Sequence, residues 1–474
     1  MSLADHAIWY HVYPLGALGA PVHERGAEVV HRLGALEPWL DHAVGLGCSG
    51  LLLGPIFTSV SHGYDTLDHY SIDPRLGDDG DFDALVAACR ERGLSLMLDG
   101  VFNHVSTQHG LVGEDSPMLR RSNGYLYTWE GHDNLVELDH TRADVADWIT
   151  GIMLHWLRRG IAGWRLDVAY AVAPEFWREV IARVRREFPD ALFLGEVIHG
   201  DYDAIAEAAT FDSVTAYELW KATWSSIKDT NCWELAHALE RHRSFSANHV
   251  LNTFVGNHDV DRIASLVGGD GAALAASVLF TVPGMPSVYY GDEQGFTGVR
   301  GTGLYADDAV RPPLPATPAD LLPTGAWLET VYRDLIGFRR RHAWLSRGHL
   351  AVVAKENAWI EYAVTHGDDR VDVRLELEPT PRVVVRATIP FAATDAIDLG
   401  ALRIPPPTRL VLQLRDPSNL ARPINGARVR IFATPEPDPT STTPSPAQDA
   451  ALEIASGVTD SGGAVEILLA QRPK

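Results

Sequence analysis

Eight short β-prone runs alternate with amphipathic helical stretches from the N-terminus to about residue 342, and that strict alternation leaves few folds open. The runs are 7–13, 50–54, 94–99, 163–167, 191–196, 213–216, 250–255 and 286–290. Between them, 82–92 sets Leu85, Val86 and Cys89 at helical spacing, and 174–188 opens on a proline with Phe176, Val180, Ile181 and Val184 along one face. Strand and helix in alternation require a parallel sheet, and eight repeats of the unit predict a closed (β/α)8 TIM barrel of the α/β class. One connection, between the third and fourth runs, is long. Its first part, 105–134, is rich in Gly, Ser and polar residues and reads as an irregular excursion over the rim; helical spacing resumes at 142–159.

Beyond Arg341 the pattern changes to alternating β-type runs at 359–364, 371–377 and 382–388. A chain of 474 residues suits a barrel of roughly 250 to 400 residues with something smaller attached. The predicted organisation is a barrel over 1–342 that includes the excursion, a β-rich C-terminal domain over 343–405, and a small β-sandwich over 406–474. The Pro/Thr/Ser segment 435–446 reads as a mobile loop in that last unit.

A formal charge of −22 repels nucleic acid phosphates and anionic membrane surfaces, and no dense Lys/Arg run overrides it. Neutral, hydroxyl-rich ligands are not repelled, and 13 Trp with 14 Tyr offer flat faces on which sugars stack, although most such residues belong to the core. Cys48, Cys89 and Cys232 are odd in number and lack a metal-ligand rhythm, which predicts buried thiols. The N-terminus has no basic region followed by an apolar one, and no stretch reads as long enough to span a membrane. A reducing cytoplasm is the expected compartment.

Four segments within the barrel region carry acids: DGVFNH (99–104), GWRLDV (163–168), LGEV (194–197) and FVGNHD (254–259). In three of them an apolar run stops at one carboxylate, Asp167, Glu196 or Asp259, as a barrel strand does when it presents a side chain at its C-terminal mouth. Acids from different strands converge at such a rim. Retaining cleavage of a glycosidic bond needs this kind of cluster, with one ionised carboxylate and one protonated carboxyl group roughly 5 Å apart.

These four segments, in this order, resemble the sequence signatures of the α-amylase superfamily, glycoside hydrolase family thirteen. IWYHVYP (8–14), HGYDTLDHYSIDPRLG (62–77) and GMPSVYYGDEQG (284–295) strengthen the resemblance, which spans residues 7–342. Within the family the motifs look most like the neopullulanase and cyclomaltodextrinase group. The chain departs from that group in lacking its extra N-terminal domain, in a short excursion, and in having Tyr170 and Ala171 where Asn-Glu is expected.

The resemblance implies a role for each matching residue. Asp167 is the nucleophile, which Arg165, two positions earlier on the same strand face, keeps ionised; Glu196 is the general acid and then the base. Asp259 binds sugar hydroxyls and favours the distorted ring of the transition state. His104 and His258 hydrogen-bond the sugar, Tyr64 stacks on it, and Asp65, Asp307 and Arg311 bind its far end. Asp99 and Asn103 brace the rim. Val168 resembles the residue of family members that accept α-1,6 bonds.

The implied activity is hydrolysis of α-1,4 and/or α-1,6 bonds in short α-glucans. A transglycosylase or a trehalose-synthase-type isomerase uses the same three carboxylates and differs only in its acceptor subsites. A non-catalytic carbohydrate-binding barrel is a third reading, against which stands the presence of all three acids. Many amylases of the family hold calcium beside the excursion, and Asn103, Glu114, Asp115 and Asp133 are the candidate ligands here. No DxDxDG-like loop accompanies them, so no cofactor and no required metal are expected, and an oligosaccharide is the expected partner. The oligomeric state is left open.

Overall fold

The computed structural model describes residues 2–25, 28–388 and 395–401, and beyond them the backbone of six strands between 408 and 469. Eight strands form one parallel sheet: β1 (Trp9–Val12), β2 (Gly50–Leu53), β3 (Ser95–Gly100), β4 (Gly163–Leu166), β5 (Leu192–Gly195), β6 (Ser213–Val214), β7 (Asn252–Phe254) and β8 (Met285–Tyr289). The ladder runs from β6 through β5, β4, β3, β2, β1 and β8 to β7. A parallel bridge between Thr215 and Asn252 joins the two ends, so the sheet closes into a (β/α)8 barrel.

The strand sequences explain why the site lies at one end. Side chains two apart on a strand share a face, so successive inward positions climb the barrel axis. Trp9, Leu52, Met97, Leu192, Leu194 and Met285 fill the interior with an apolar layer. Two residues further along the same strands the inward positions turn polar: His11 after Trp9, Asp99 after Met97, Glu196 after Leu194 and Ser287 after Met285. The outward positions, such as Trp164 and Leu166 on β4, enter the shell beneath the helices.

The longer helices among the described residues are α1 (Glu37–Leu46), α2 (Asp79–Glu91), α3 (Ala143–Arg158), α4 (Pro174–Val184), α5 (Tyr202–Ala209), α6 (Tyr217–Asp229), α7 (Cys232–Phe245), α8 (Ile263–Thr281) and α9 (Ala326–Arg341). Helix α2 begins earlier than its apolar spacing predicts, because Asp78 caps it and the Asp81 side chain accepts from the Asp78 backbone N–H. Helix α8 corrects the expectation that no stretch is long enough to span a membrane: it runs 19 residues at a mean hydropathy of 1.7. Here Gly271 to Thr281 of α8 are buried, and the helix packs against α6 and α9. Gly268, at φ 73° and ψ 177°, interrupts it. Cys48, Cys89 and Cys232 are buried free thiols, as expected.

The excursion after β3 is more regular than its composition suggests. His104–Ser106 pairs antiparallel with His132–Glu137, which also pairs with Thr128–Trp129, making a three-stranded sheet beside the mouth of the barrel. After α9 comes an antiparallel meander of five strands, β9 (His349–Glu356), β10 (Trp359–His366), β11 (Asp369–Glu376), β12 (Arg382–Thr388) and β13 (Asp395–Ala401). The β-rich C-terminal domain is thus, among the described residues, a single antiparallel sheet. Farther on, Thr408–Gln413 pairs with Ala464–Leu469 and Arg428–Ala433 with Leu452–Val458, both antiparallel. The segment 435–446 lies outside the described residues.

Candidate active site

Arg165 on β4 points up the barrel axis and organises the floor of the mouth. Its Nη1 donates to both oxygens of Asp99, at 2.7 and 2.6 Å, and to Asp167 Oδ1 at 3.2 Å. Its Nη2 lies 2.7 Å from Glu196 Oε1. One guanidinium therefore gathers three carboxylates from β3, β4 and β5, and all four side chains are buried. Asp167 and Glu196 each follow the last residue of their strand, as the run-then-acid pattern implied.

Arg165 draws Asp167 downward, but its shorter contacts go to Asp99 and Glu196 and its pull does not offset the cost of burial. Burial pushes the Asp167 carboxyl well above the usual range, and the Glu196 charge beside it adds to the rise. Burial raises Asp99 as well. Glu196 accepts from three donors: Arg165, the Val168 backbone N–H at 2.9 Å and the Tyr217 hydroxyl at 3.1 Å. Val168 donates that bond from a left-handed backbone, φ 40° and ψ 42°, which is strained for a β-branched residue.

Asp259 forms the opposite wall. It stands five residues past the end of β7, on a loop and not at a strand end, because Val255, Gly256, Asn257 and His258 intervene. Gly256 is needed there: a Cβ would come 2.1 Å from Asp292 Oδ2. His258 Nε2 meets Asp259 Oδ2 at 3.0 Å and Arg311 Nη2 meets Oδ1 at 3.0 Å. Burial pulls Asp259 upward, but His258 and Arg311 outweigh it and hold the carboxyl well below the usual range.

The remaining expected residues divide. Tyr64 lines the cleft, and its hydroxyl donates to Asp99 Oδ2 at 3.0 Å and contacts His258 Nε2. His104 also lines the cleft, but both ring nitrogens are engaged by protein: Nε2 with the Tyr64 carbonyl at 3.0 Å, Nδ1 with Asn103 Nδ2 at 3.2 Å. His258 is fully buried, so it acts on Asp259 and Tyr64 from behind. Asp65 is not brought to the cleft. Its oxygens accept from the Ser61 backbone N–H at 3.0 Å and hydroxyl at 2.6 Å, which closes the turn that carries Tyr64. Asp307 and Arg311 are no surface pair: Arg311 is buried, bridges Asp259 to Asp307 (2.9 Å) and donates through Nε to the His258 carbonyl at 2.8 Å.

The cleft above these groups measures about 470 Å³. Sequence reasoning missed several of its walls. Trp129, His132 and Asn134 come from the sheet in the excursion and Glu130 from the turn between two of its strands; Tyr170, Ile198, Tyr217 and Val260 follow β4, β5, β6 and β7; Arg300 reaches in after β8. Only their position after a predicted strand end signalled them. The calcium candidates do not gather into a ligand set: Asp115 pairs with Arg121, while Glu114 and Asp133 are exposed. Among the described residues the one group of three His/Asp/Glu side chains with ligand atoms close together is His31, Asp78 and Asp81, and its carboxylates already serve the cap of α2.

A family model described as "Alpha amylase, catalytic domain" matches residues 35–118 and 118–346. A cyclomaltodextrinase of Geobacillus thermopakistaniensis is 30% identical over 361 residues, covering 70% of this chain and 60% of that protein. Neopullulanase 2 of Thermoactinomyces vulgaris is 32% identical over 340 residues, covering 66% and 56%. The chain thus spans less than two thirds of these relatives' length. Among solved structures, a cyclic α-maltosyl-(1→6)-maltose hydrolase of Arthrobacter globiformis shares the fold at a TM-score of 0.70 and 24% identity, over 84% of this chain and 99% of that one.

Proposed function

The chain belongs to the α-amylase family, and from that premise we propose that it is a retaining glycoside hydrolase of short α-glucans, cleaving α-1,4 and/or α-1,6 glucosidic bonds. The observation that carries this reading is the attachment of Asp167 and Glu196 to the two arms of one guanidinium beneath an open cleft, facing Asp259.

The reacting form has Asp167 ionised and a proton on Glu196. An Asp167 oxygen attacks the anomeric carbon, the bond to the leaving oxygen breaks, and the Glu196 proton goes to that oxygen. Water then attacks the glycosyl-Asp167 ester and gives its proton to Glu196, which restores both groups. Asp259, held ionised by His258 and Arg311, accepts hydrogen bonds from ring hydroxyls and offsets the positive charge that develops on the sugar.

The cyclomaltodextrinase and neopullulanase names of the relatives support a short α-glucan as substrate. We assign no required metal, on the scattering of the candidate ligands, and a reducing compartment, which keeps three buried thiols free. A second reading, transfer to an acceptor sugar, is favoured by the apolar side chains Val168, Tyr170, Ile198 and Val260 in the cleft beside Glu196, which offer a platform for an acceptor ring. Proton NMR of products from maltotriose, pullulan and a cyclodextrin separates the two. Hydrolysis gives α-anomers with wild type and none with Asp167→Asn, whereas longer or rearranged sugars indicate transfer, and β-anomers would overturn a retaining mechanism.

A further inference from the structure

Tyr217 is the first residue of α6, and no motif discussed above includes it. Its ring is clamped edge-on by Phe254 (centroids 4.9 Å, 79°) and by Trp220 (5.9 Å, 82°). Its hydroxyl lies 3.1 Å from Glu196 Oε1 and 2.9 Å from Asn257 Nδ2.

The direction of each bond in this chain follows from one donor that cannot be reversed. The backbone N–H of Asp259 can only donate, and it meets Asn257 Oδ1 at 2.9 Å. The Asn257 side chain therefore turns its NH2 group to Tyr217. The tyrosine oxygen accepts from Asn257, and its single proton is left for Glu196 Oε1. That same oxygen receives Arg165 Nη2 at 2.7 Å.

We infer that Tyr217, set by Asn257, is the positioning residue for Glu196: it saturates Oε1 and leaves Oε2 as the oxygen that holds and transfers the proton. This rests on the hydrolase reading above and deepens it. Oε2 is anchored by the Val168 N–H alone, at 2.9 Å, and Val168 lines the cleft directly after the nucleophile. Because Asn257 also holds the backbone of Asp259, one run of hydrogen bonds fixes the acid and the opposite carboxylate relative to each other.

The test compares two substrates. Maltotriose needs a proton on its leaving sugar, whereas α-maltosyl fluoride releases fluoride without one. Tyr217→Phe keeps the ring and removes the hydroxyl. It should lower kcat/KM on maltotriose by about ten- to a hundredfold and leave the fluoride within about threefold of wild type, with an unchanged circular dichroism spectrum. Added to Glu196→Gln, Tyr217→Phe should cost nothing further on maltotriose, since it acts through the missing acid.

Equal losses on both substrates, or additive losses in the double variant, would overturn the assignment. Glu196→Gln losing neither substrate, or a wild type inert toward both, would overturn the hydrolase reading and this assignment with it.

Discussion

Arg165 Nη2 lies 2.7 Å from Glu196 Oε1, closer than any contact the guanidinium makes with Asp167. The guanidinium thereby spreads one positive charge over three buried carboxylates, Asp99, Asp167 and Glu196.

Arg165→Lys should behave as a drastic change. A single ammonium cannot serve Asp99, Asp167 and Glu196 together, so at least one carboxylate is left buried and unpaired, at about 3 kcal/mol. Thermal melting should fall and kcat/KM on maltotriose should drop by at least about a hundredfold. A variant within threefold of wild type on both measures would contradict the role assigned to this residue.

Arg311→Gln removes one of the two partners that depress Asp259. The carboxyl then titrates at a higher pH, so activity should begin to fail at a higher pH on the acid side of the profile. The pH dependence of kcat/KM for variant and wild type, recorded at one ionic strength, gives the comparison; superimposable acid limbs would argue against the ion pair.

Burial lowers His69, His104 and His242 to about 4. The unfolded chain binds their protons near the ordinary histidine value of about 6.5 and the folded chain near 4, so their contribution to stability is complete above 6.5 and is lost as pH falls through this window. At pH 5 the loss is about 2 kcal/mol per histidine. Urea unfolding at pH 7.5 and pH 5 checks it, and a midpoint independent of pH would count against neutral buried rings.

Gly256→Ala places a methyl group against Asp292, whose carboxylate is fixed by Arg262 at 3.0 Å. The expected cost is about 1–3 kcal/mol of stability, with Asp259 displaced and activity reduced further than stability alone explains. Differential scanning calorimetry alongside kinetics measures both.

Dialysis against EDTA should leave activity and melting temperature unchanged, since the candidate calcium ligands are dispersed. A loss restored by calcium and not by magnesium would establish a site the described residues do not reveal.

The barrel, Asp167 and Glu196 are legible in the sequence because each depends on local order: a β-prone run, a period of two that sets the inward face, and a polar residue where the run ends; Asp259, on the loop beyond β7, is legible only through its motif. Asp65 was misjudged because adjacency to Tyr64 says nothing about direction; Ser61 captures its side chain inside a turn. His104 and His258 sit where the motifs indicate, yet their nitrogens serve Tyr64 and Asp259, a partnership formed across strands. Tyr217 and Asn257 meet across 40 residues of chain, and the ownership of Arg165 is decided by distances of a few tenths of an ångström. Neither has a sequence period to reveal it. The excursion was read as irregular because its strands are two to six residues long and bracketed by turns.

The most direct measurement of the central claim is the covalent one. Glu196→Gln, unable to activate water for the second step, is incubated with α-maltosyl fluoride, quenched in acid and digested for mass spectrometry. One maltosyl group esterified to Asp167 is expected, absent from Asp167→Asn in the same background. Turnover of the fluoride with no adduct, or an adduct on any other residue, would contradict it.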